Sequence, residues 1–234
     1  MKSLSLLVGV CLAVAARAQQ FQNLDFEQAK TQSSIYTWDA LVGSLFPGWT
    51  LYPRIRNSGP GGLDSPIPGY NSICLGSPCI DIYGPPRGLF DPVVQAEHGK
   101  FSVLVDSGGG LSGGKYELGL EQVGLIPSNA KTLLWSATDK ALLRIDGTSL
   151  DPVLVGGGTR YPTWGVDVGS WAGLVVDLKI GASGTFSQFS GGSYLRLDYL
   201  RFSEVALVPE PAPFALTALG VAALVWARRR SFPR

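Results

Sequence analysis

Tyr116-Glu117-Leu118-Gly119-Leu120-Glu121-Gln122-Val123 is the stretch that decides the fold. Tyr116, Leu118, Leu120 and Gln122 alternate with Glu117, Gly119, Glu121 and Val123. In an extended chain successive side chains point to opposite faces, so the stretch reads as a strand with one face buried and the other in water. Strands are also expected downstream at Lys131 to Ala137, Leu142 to Ile145, Val153 to Val155, Leu174 to Ile180 and Tyr194 to Phe202. Asp146-Gly147 is a hairpin signal, because both residues tolerate positive φ. Trp164 to Gly173 reads as an irregular corner. Upstream, Phe101 to Val105 is the clearest strand, followed by a glycine loop at Gly108 to Gly110. Phe21 to Phe26 and Trp49 to Ile55 are read as strands, Asn57 to Tyr70 as a Gly/Pro-rich loop, and Ile73 to Tyr83 as a cysteine hairpin. Roughly ten closely spaced strands make an antiparallel β-sandwich the simplest all-β architecture.

Composition supports this. The chain has 30 Gly and 16 Pro, and strong helical patterns are absent from its body. Its net charge is +1, yet six of the 19 basic residues and one of the 18 acids lie in the two terminal segments described next. That leaves 13 basic against 17 acidic residues between them, a net of −4, so no basic surface is available for nucleic acid.

The two ends read as handling signals. Lys2, the apolar run Leu4 to Ala15 and the small-x-small sequence Ala16-Arg17-Ala18 form a signal peptide over residues 1–18, making Gln19 the expected mature start. Val10 before Cys11 is too large for a lipoprotein site. Residues 207–234 contain Pro209-Glu210-Pro211, an uncharged run from Phe214 to Ala227, and Arg228-Arg229-Arg230. Prolines at 209, 211 and 213 hold the chain extended. The fourteen uncharged residues rise about 21 Å as a helix, against a hydrocarbon core of roughly 30 Å. With Pro211 to Pro213 included and the arginines reaching the interface, a thin transmembrane helix is expected, its arginines cytoplasmic. Residues 19–206 are then one β-sandwich domain beyond the cytoplasm. There Cys74 and Cys79, separated by a turn containing Gly76 and Pro78, are expected to form a local disulfide.

The tail resembles the PEP-CTERM sorting signal of Gram-negative bacteria. The resemblance rests on Pro209, Glu210 and Pro211, then Phe214 to Ala227, then Arg228, Arg229 and Arg230, in the family's order. It implies recognition by exosortase, a membrane protease-transpeptidase, and a transient inner-membrane anchor before release to the cell surface or extracellular matrix. The body resembles the galactose-binding-type jelly rolls carried by many such proteins. The matching stretches are Asn23-Leu24-Asp25-Phe26-Glu27, Pro47-Gly48-Trp49, Glu121 to Pro127, Asp167 to Gly173, and Leu197-Asp198-Tyr199-Leu200-Arg201-Phe202-Ser203. The long insert Asn57 to Pro92 and the cysteine pair depart from that pattern. The resemblance also implies a structural calcium held by Glu27 and Asp198, whose hard oxygens suit that ion. No other cofactor is expected.

No residue set specifies a reaction. Gly109 to Lys115 nearly spells a phosphate loop, but Tyr116 follows the lysine and a strand, not a helix, comes next. Asp106-Ser107-Gly108-Gly109 resembles a serine-protease loop, but the only histidine, His98, lacks that family's setting and falls to a turn beside Gly99. Paired carboxylates for glycoside hydrolysis cannot be singled out among so many acids. The chain therefore reads as a non-enzymatic exported protein. The alternative is a carbohydrate-binding module acting on exopolysaccharide, for which Tyr52 and Tyr70 are the aromatic candidates.

Overall fold

The computed structural model describes residues 19–30, 38–52, 67–70, 79–85, 95–106, 115–185 and 194–207. The signal-peptide region, the tail from residue 208 onward, and Cys74 lie outside them. Among the described residues no helix is long and apolar enough to cross a membrane.

The elements in chain order are a helix α1 (Trp38–Leu45), then β1 (Thr50–Tyr52), β2 (Ile67–Tyr70), β3 (Cys79–Tyr83), β4 (Ser102–Asp106), β5 (Lys115–Leu125), β6 (Thr132–Ala137), β7 (Leu142–Ile145), β8 (Thr148–Leu150), β9 (Val153–Gly157), β10 (Pro162–Asp167), β11 (Val175–Thr185) and β12 (Tyr194–Ser203). A single 3-10 turn, Gly169–Trp171, separates β10 from β11. One sheet has the order β1-β5-β11-β7-β8 and the other β2-β3-β4-β12-β6-β10-β9. The described chain is thus an all-β sandwich.

Strand alternation builds the core. In β5, Leu118 and Leu120 are fully buried while Val123 is exposed on the opposite face. Val176, Leu178, Ile180 and Ala182 of β11 and Leu143 and Ile145 of β7 join them from the five-stranded sheet. Ile80, Ile82, Val103, Val105, Leu133, Trp135, Leu195 and Leu197 meet them from the seven-stranded one. Burying a side chain of this size stabilises by about 1.5–3 kcal/mol, so the two interleaved faces dominate the energetics.

Several expectations change. Ladders are antiparallel except that β2 pairs with β3 in parallel, Ile67 beside Cys79 and Tyr70 beside Ile82. Of the anticipated cysteine hairpin only Cys79–Tyr83 lies among the described residues, as strand β3, and the end of the anticipated loop is strand β2. Phe21 to Phe26 is not a strand: Asn23 and Phe26 both have positive φ, and the Phe26 amide donates to the Asn23 carbonyl in a turn. Helix α1 was hidden by its brevity; Val42 and Leu45 on it are buried apolar side chains of the core. The corner from Trp164 begins inside β10, whose residues Thr163–Asp167 pair with β6. Asp146 (φ 48°) and Gly147 (φ 77°) make the expected hairpin between β7 and β8.

Tyr52 explains a gap in the β5 pattern. Gly119 faces Gly181 across β5 and β11, and a Cβ on Gly119 would lie 2.7 Å from the Tyr52 hydroxyl oxygen and 2.2 Å from the Ile180 carbonyl. The Tyr52 hydroxyl thus occupies space that a side chain at Gly119 would fill. Its hydroxyl is buried without a hydrogen-bond partner, and burial, then the Glu117 carboxylate, push the phenol well above its ordinary pKa.

Candidate functional site

The chemistry-bearing side chains gather where β12 changes course. Leu195 and Leu197 face the core, so Asp198 falls on the far face, in register with Ser136 of β6. The strand register then shifts between Asp198 and Arg201, and Tyr199 adopts φ 51°. This detour returns Leu200 to the core and leaves Tyr199 and Arg201 on the outer side.

Asp198 is fully buried. Its Oδ2 accepts the amides of Glu97 (2.7 Å) and His98 (3.0 Å). Glu27 accepts the next pair through Oε1, from Lys100 (2.8 Å) and Phe101 (2.9 Å). Two carboxylates from opposite ends of the chain therefore hold one loop by four backbone N–H groups. Gly99 lies between the pairs with φ 68°, and a Cβ there would sit 2.3 Å from the Glu27 carboxyl carbon. Only glycine permits that approach.

Burial pushes the Asp198 carboxyl up to about 6; its backbone hydrogen bonds oppose the rise and the Glu27 charge adds to it. Asp198 Oδ1 is buried with no hydrogen-bond partner. The structure thus brings together both residues expected from sequence to hold calcium. Among the described residues, however, no group of three or more His, Cys, Asp or Glu side chains gathers as a metal site.

A polar cavity of about 450 Å³ opens beside this loop, lined by Glu97, His98, Ser136, Gly157 to Thr159, Thr163, Tyr199 and Arg201. Glu97 ties its walls: Oε1 accepts the Thr159 amide (2.6 Å), and Oε2 those of Arg160 (2.7 Å) and Tyr161 (3.3 Å). The His98 ring stacks on Tyr199 at 4.0 Å and 18°, and the Arg201 guanidinium lies 4.7 Å from the same ring centre. A second cavity of about 420 Å³ lies elsewhere, bordered by the ion-paired Lys140 and Asp151 together with Asp139, Ser183 and Tyr194. Tyr194 is 56% exposed there.

Sequence reasoning named Glu27, Asp198 and the turn at His98, but missed Arg201, Tyr199, Glu97 and Tyr194. The detour that presents the first two is a backbone event no residue pattern marks. Tyr52 is buried at 9% exposure and offers no open aromatic face, and Tyr70 packs partly against the core. Cys79 is disulfide-bonded. Ser107 and residues 109–114 of the glycine loop lie outside the described residues, as do Pro209, Glu210, Pro211 and Arg228 to Arg230.

These features define an all-β protein of two packed sheets with polar cavities at their margins. No protein-family model matches the chain, and no curated protein is similar to it. Among solved structures, a cyclase from Fischerella sp. TAU is similar at a TM-score of 0.40 and 16% identity, over 79% of this chain and 95% of that one. The apo form of a cyclase from Fischerella sp. gives 0.39 and 16%, over 79% and 94%. Neither likeness bears on what this chain does.

The raised Asp198 pKa sets a pH dependence. Between its ordinary value of 3.8 and about 6, the folded state binds a proton that the unfolded chain releases. Stability from this group is therefore full below the lower value and lost as pH rises through the upper one. With chelator present, the melting temperature should rise on the order of 5 °C from pH 7.5 to 5. Asp198→Asn should flatten that rise; an equal rise in both proteins would remove Asp198 as its source.

Proposed function

We propose that the chain is an exported, non-enzymatic protein of the cell surface or extracellular matrix, sorted by an exosortase-type enzyme through its C-terminal segment. The observation that carries this reading is the ordered tail of Pro209-Glu210-Pro211, the uncharged run Phe214 to Ala227, and Arg228-Arg229-Arg230. Three short features of different chemistry in one order are hard to obtain by composition alone. The described fold supports it by position: β12 ends at Ser203 and the tail begins a few residues later. A membrane helix with cytoplasmic arginines would leave the sandwich on the other side, where the disulfide at Cys79 persists. Before processing the partners are the membrane and the sorting enzyme. The test is fractionation of a host that carries exosortase: the body should leave the membrane without its tail, and replacing Pro209-Glu210-Pro211 by alanines should retain it. Release of both alike would refute sorting through this motif.

Carbohydrate binding to exopolysaccharide is the second reading. It is favoured by Tyr194, an exposed ring beside Asp139 and Ser183 in a cavity large enough for a sugar. Binding on a glycan array that disappears in Tyr194→Ala would mark this activity; unchanged binding would clear Tyr194 of it.

A structural calcium belongs to either reading. Glu27 and Asp198 would hold it, and the unpartnered Asp198 Oδ1 is the observation they fit. With only two carboxylates gathered, backbone carbonyls would complete the oxygen set. Millimolar calcium should raise the melting temperature at pH 7 and much less in Asp198→Asn. An absent shift in the unsubstituted chain would dismiss the ion.

A further inference from the structure

The cavity beside the 97–101 loop has a composition that neither fold nor sorting requires. Its floor comes from adjacent strands: Ser136 of β6 and Thr163 of β10 are register partners, so both hydroxyl side chains project from one sheet face. Arg201 pairs with Leu134, two residues from Ser136 along β6, and so stands on that same face. The two walls are the 97–98 turn and the segment Gly157 to Thr159. They are joined by Glu97, whose carboxylate receives the amides of Thr159 and of the two residues after it, Arg160 and Tyr161. The cavity is thus held open by hydrogen bonds before any ligand arrives, which lowers the ordering cost of binding.

Its charges are unevenly satisfied. Glu97 is engaged by three N–H donors, and Asp198 lies buried behind the loop. Arg201 stands in the cavity without a carboxylate: the ion pairs among described residues involve Lys140, Arg144 and Lys179 instead. Its one described partner is the Tyr199 ring, which leaves the planar edge of the guanidinium with donors to give. Stacking on an aromatic platform is not what the cavity offers, because Tyr199 already carries both the His98 ring and the Arg201 cation.

We propose that this cavity binds the carboxylate-bearing sugar unit of an acidic polysaccharide, a uronate. Arg201 takes the carboxylate as a forked pair of charge-assisted hydrogen bonds, the geometry for which a guanidinium is shaped and an ammonium is not. The Ser136, Thr159 and Thr163 hydroxyls, each both donor and acceptor, meet the ring hydroxyls. A volume of about 450 Å³ accommodates a sugar unit and leaves room for bridging water. This deepens the polysaccharide-binding reading but places the ligand on different residues from Tyr194, so either site can fail alone.

Calorimetric titration tests it, using the full chain in a non-ionic detergent without a sugar headgroup. The probes are glucuronate and galacturonate oligosaccharides, their neutral glucose and galactose counterparts, and inorganic phosphate. The expected result is binding of at least one uronate, with the neutral counterpart weaker by about 10- to 100-fold, as loss of a hydrogen bond to a charged group implies. Arg201→Gln should lose that same factor, Arg201→Lys should recover only part of it, and Tyr194→Ala should keep full affinity. Should Arg201→Gln fail to fold by circular dichroism, Thr163→Val serves instead, with weakened uronate binding expected. No uronate binding by the unsubstituted chain, neutral-sugar binding as tight as uronate that persists in Tyr194→Ala, or phosphate binding as tight as uronate would each overturn the proposal. Uronate binding lost in Tyr194→Ala but kept in Arg201→Gln would overturn it while leaving the other cavity's reading intact.

Discussion

The buried carboxylate of Asp198 is the constraint on which the described architecture turns. A charge taken out of water is tolerated only with strong partners, and Asp198 finds them in the amides of Glu97 and His98. Those amides reach it only because the 97–101 loop folds over the outer face of the seven-stranded sheet, held at its far end by Glu27. The same residue precedes the detour of β12 that sends Leu200 inward and Tyr199 outward. Core packing, loop position and cavity lining are therefore not separable there. The elevated pKa of Asp198 shows that the arrangement does not fully repay the burial.

The segment before α1 extends this logic to the rest of the sandwich. Its described residues, 19–30, form no strand of their own, yet they bond to both sheets. The Leu125 amide donates to the Gln19 carbonyl, and the Leu200 amide to the Leu24 carbonyl. Gln122 accepts the Gln22 amide at 2.7 Å and donates to the carbonyls of Gln22 and Gly48. Asn23 donates to the Pro47 carbonyl, and its own carbonyl accepts the buried indole N–H of Trp49 at 3.0 Å. The short stretches that gave the body its likeness to jelly rolls are thus neighbours in space. Asn23 to Glu27 touches Pro47 to Trp49 and β12, while the Gly173 amide donates to the Ile126 carbonyl between two others.

What the sequence made legible follows from periodicity. An apolar face marked β5, β7, β11 and β12, apolar runs marked β4 and β6, which are buried on both faces or nearly so, and a glycine turn marked the hairpin after Ile145. The parallel pairing of β2 was not legible, because Ile67 to Tyr70 contains both Pro68 and Gly69 and no alternation. The turn at Asn23 to Phe26 misled for the opposite reason: apolar and polar residues interleave there by chance, while positive φ at Asn23 and Phe26 forbids a strand. At the site, Glu27 and Asp198 came from family likeness. Arg201 and Tyr199 did not, since a residue's face after a register shift depends on backbone geometry that its neighbours do not encode.

The place of β12 has a consequence for how the chain comes together in time. Of the described strands it is the last to leave the ribosome, yet it lies in the middle of its sheet, between β4 and β6. Until residues near 194–203 are available, β4 and β6 face each other across a missing strand, and each presents an unpaired edge. The earliest residues of the sandwich wait as well, since Leu24 needs Leu200 and Glu27 shares its loop with Asp198. Closure thus joins opposite ends of the polypeptide in one late step, a high contact-order arrangement that slows folding. A nascent chain built this way stays open until residues 194–203 have emerged, and an open polypeptide is the form that can be threaded through a narrow pore.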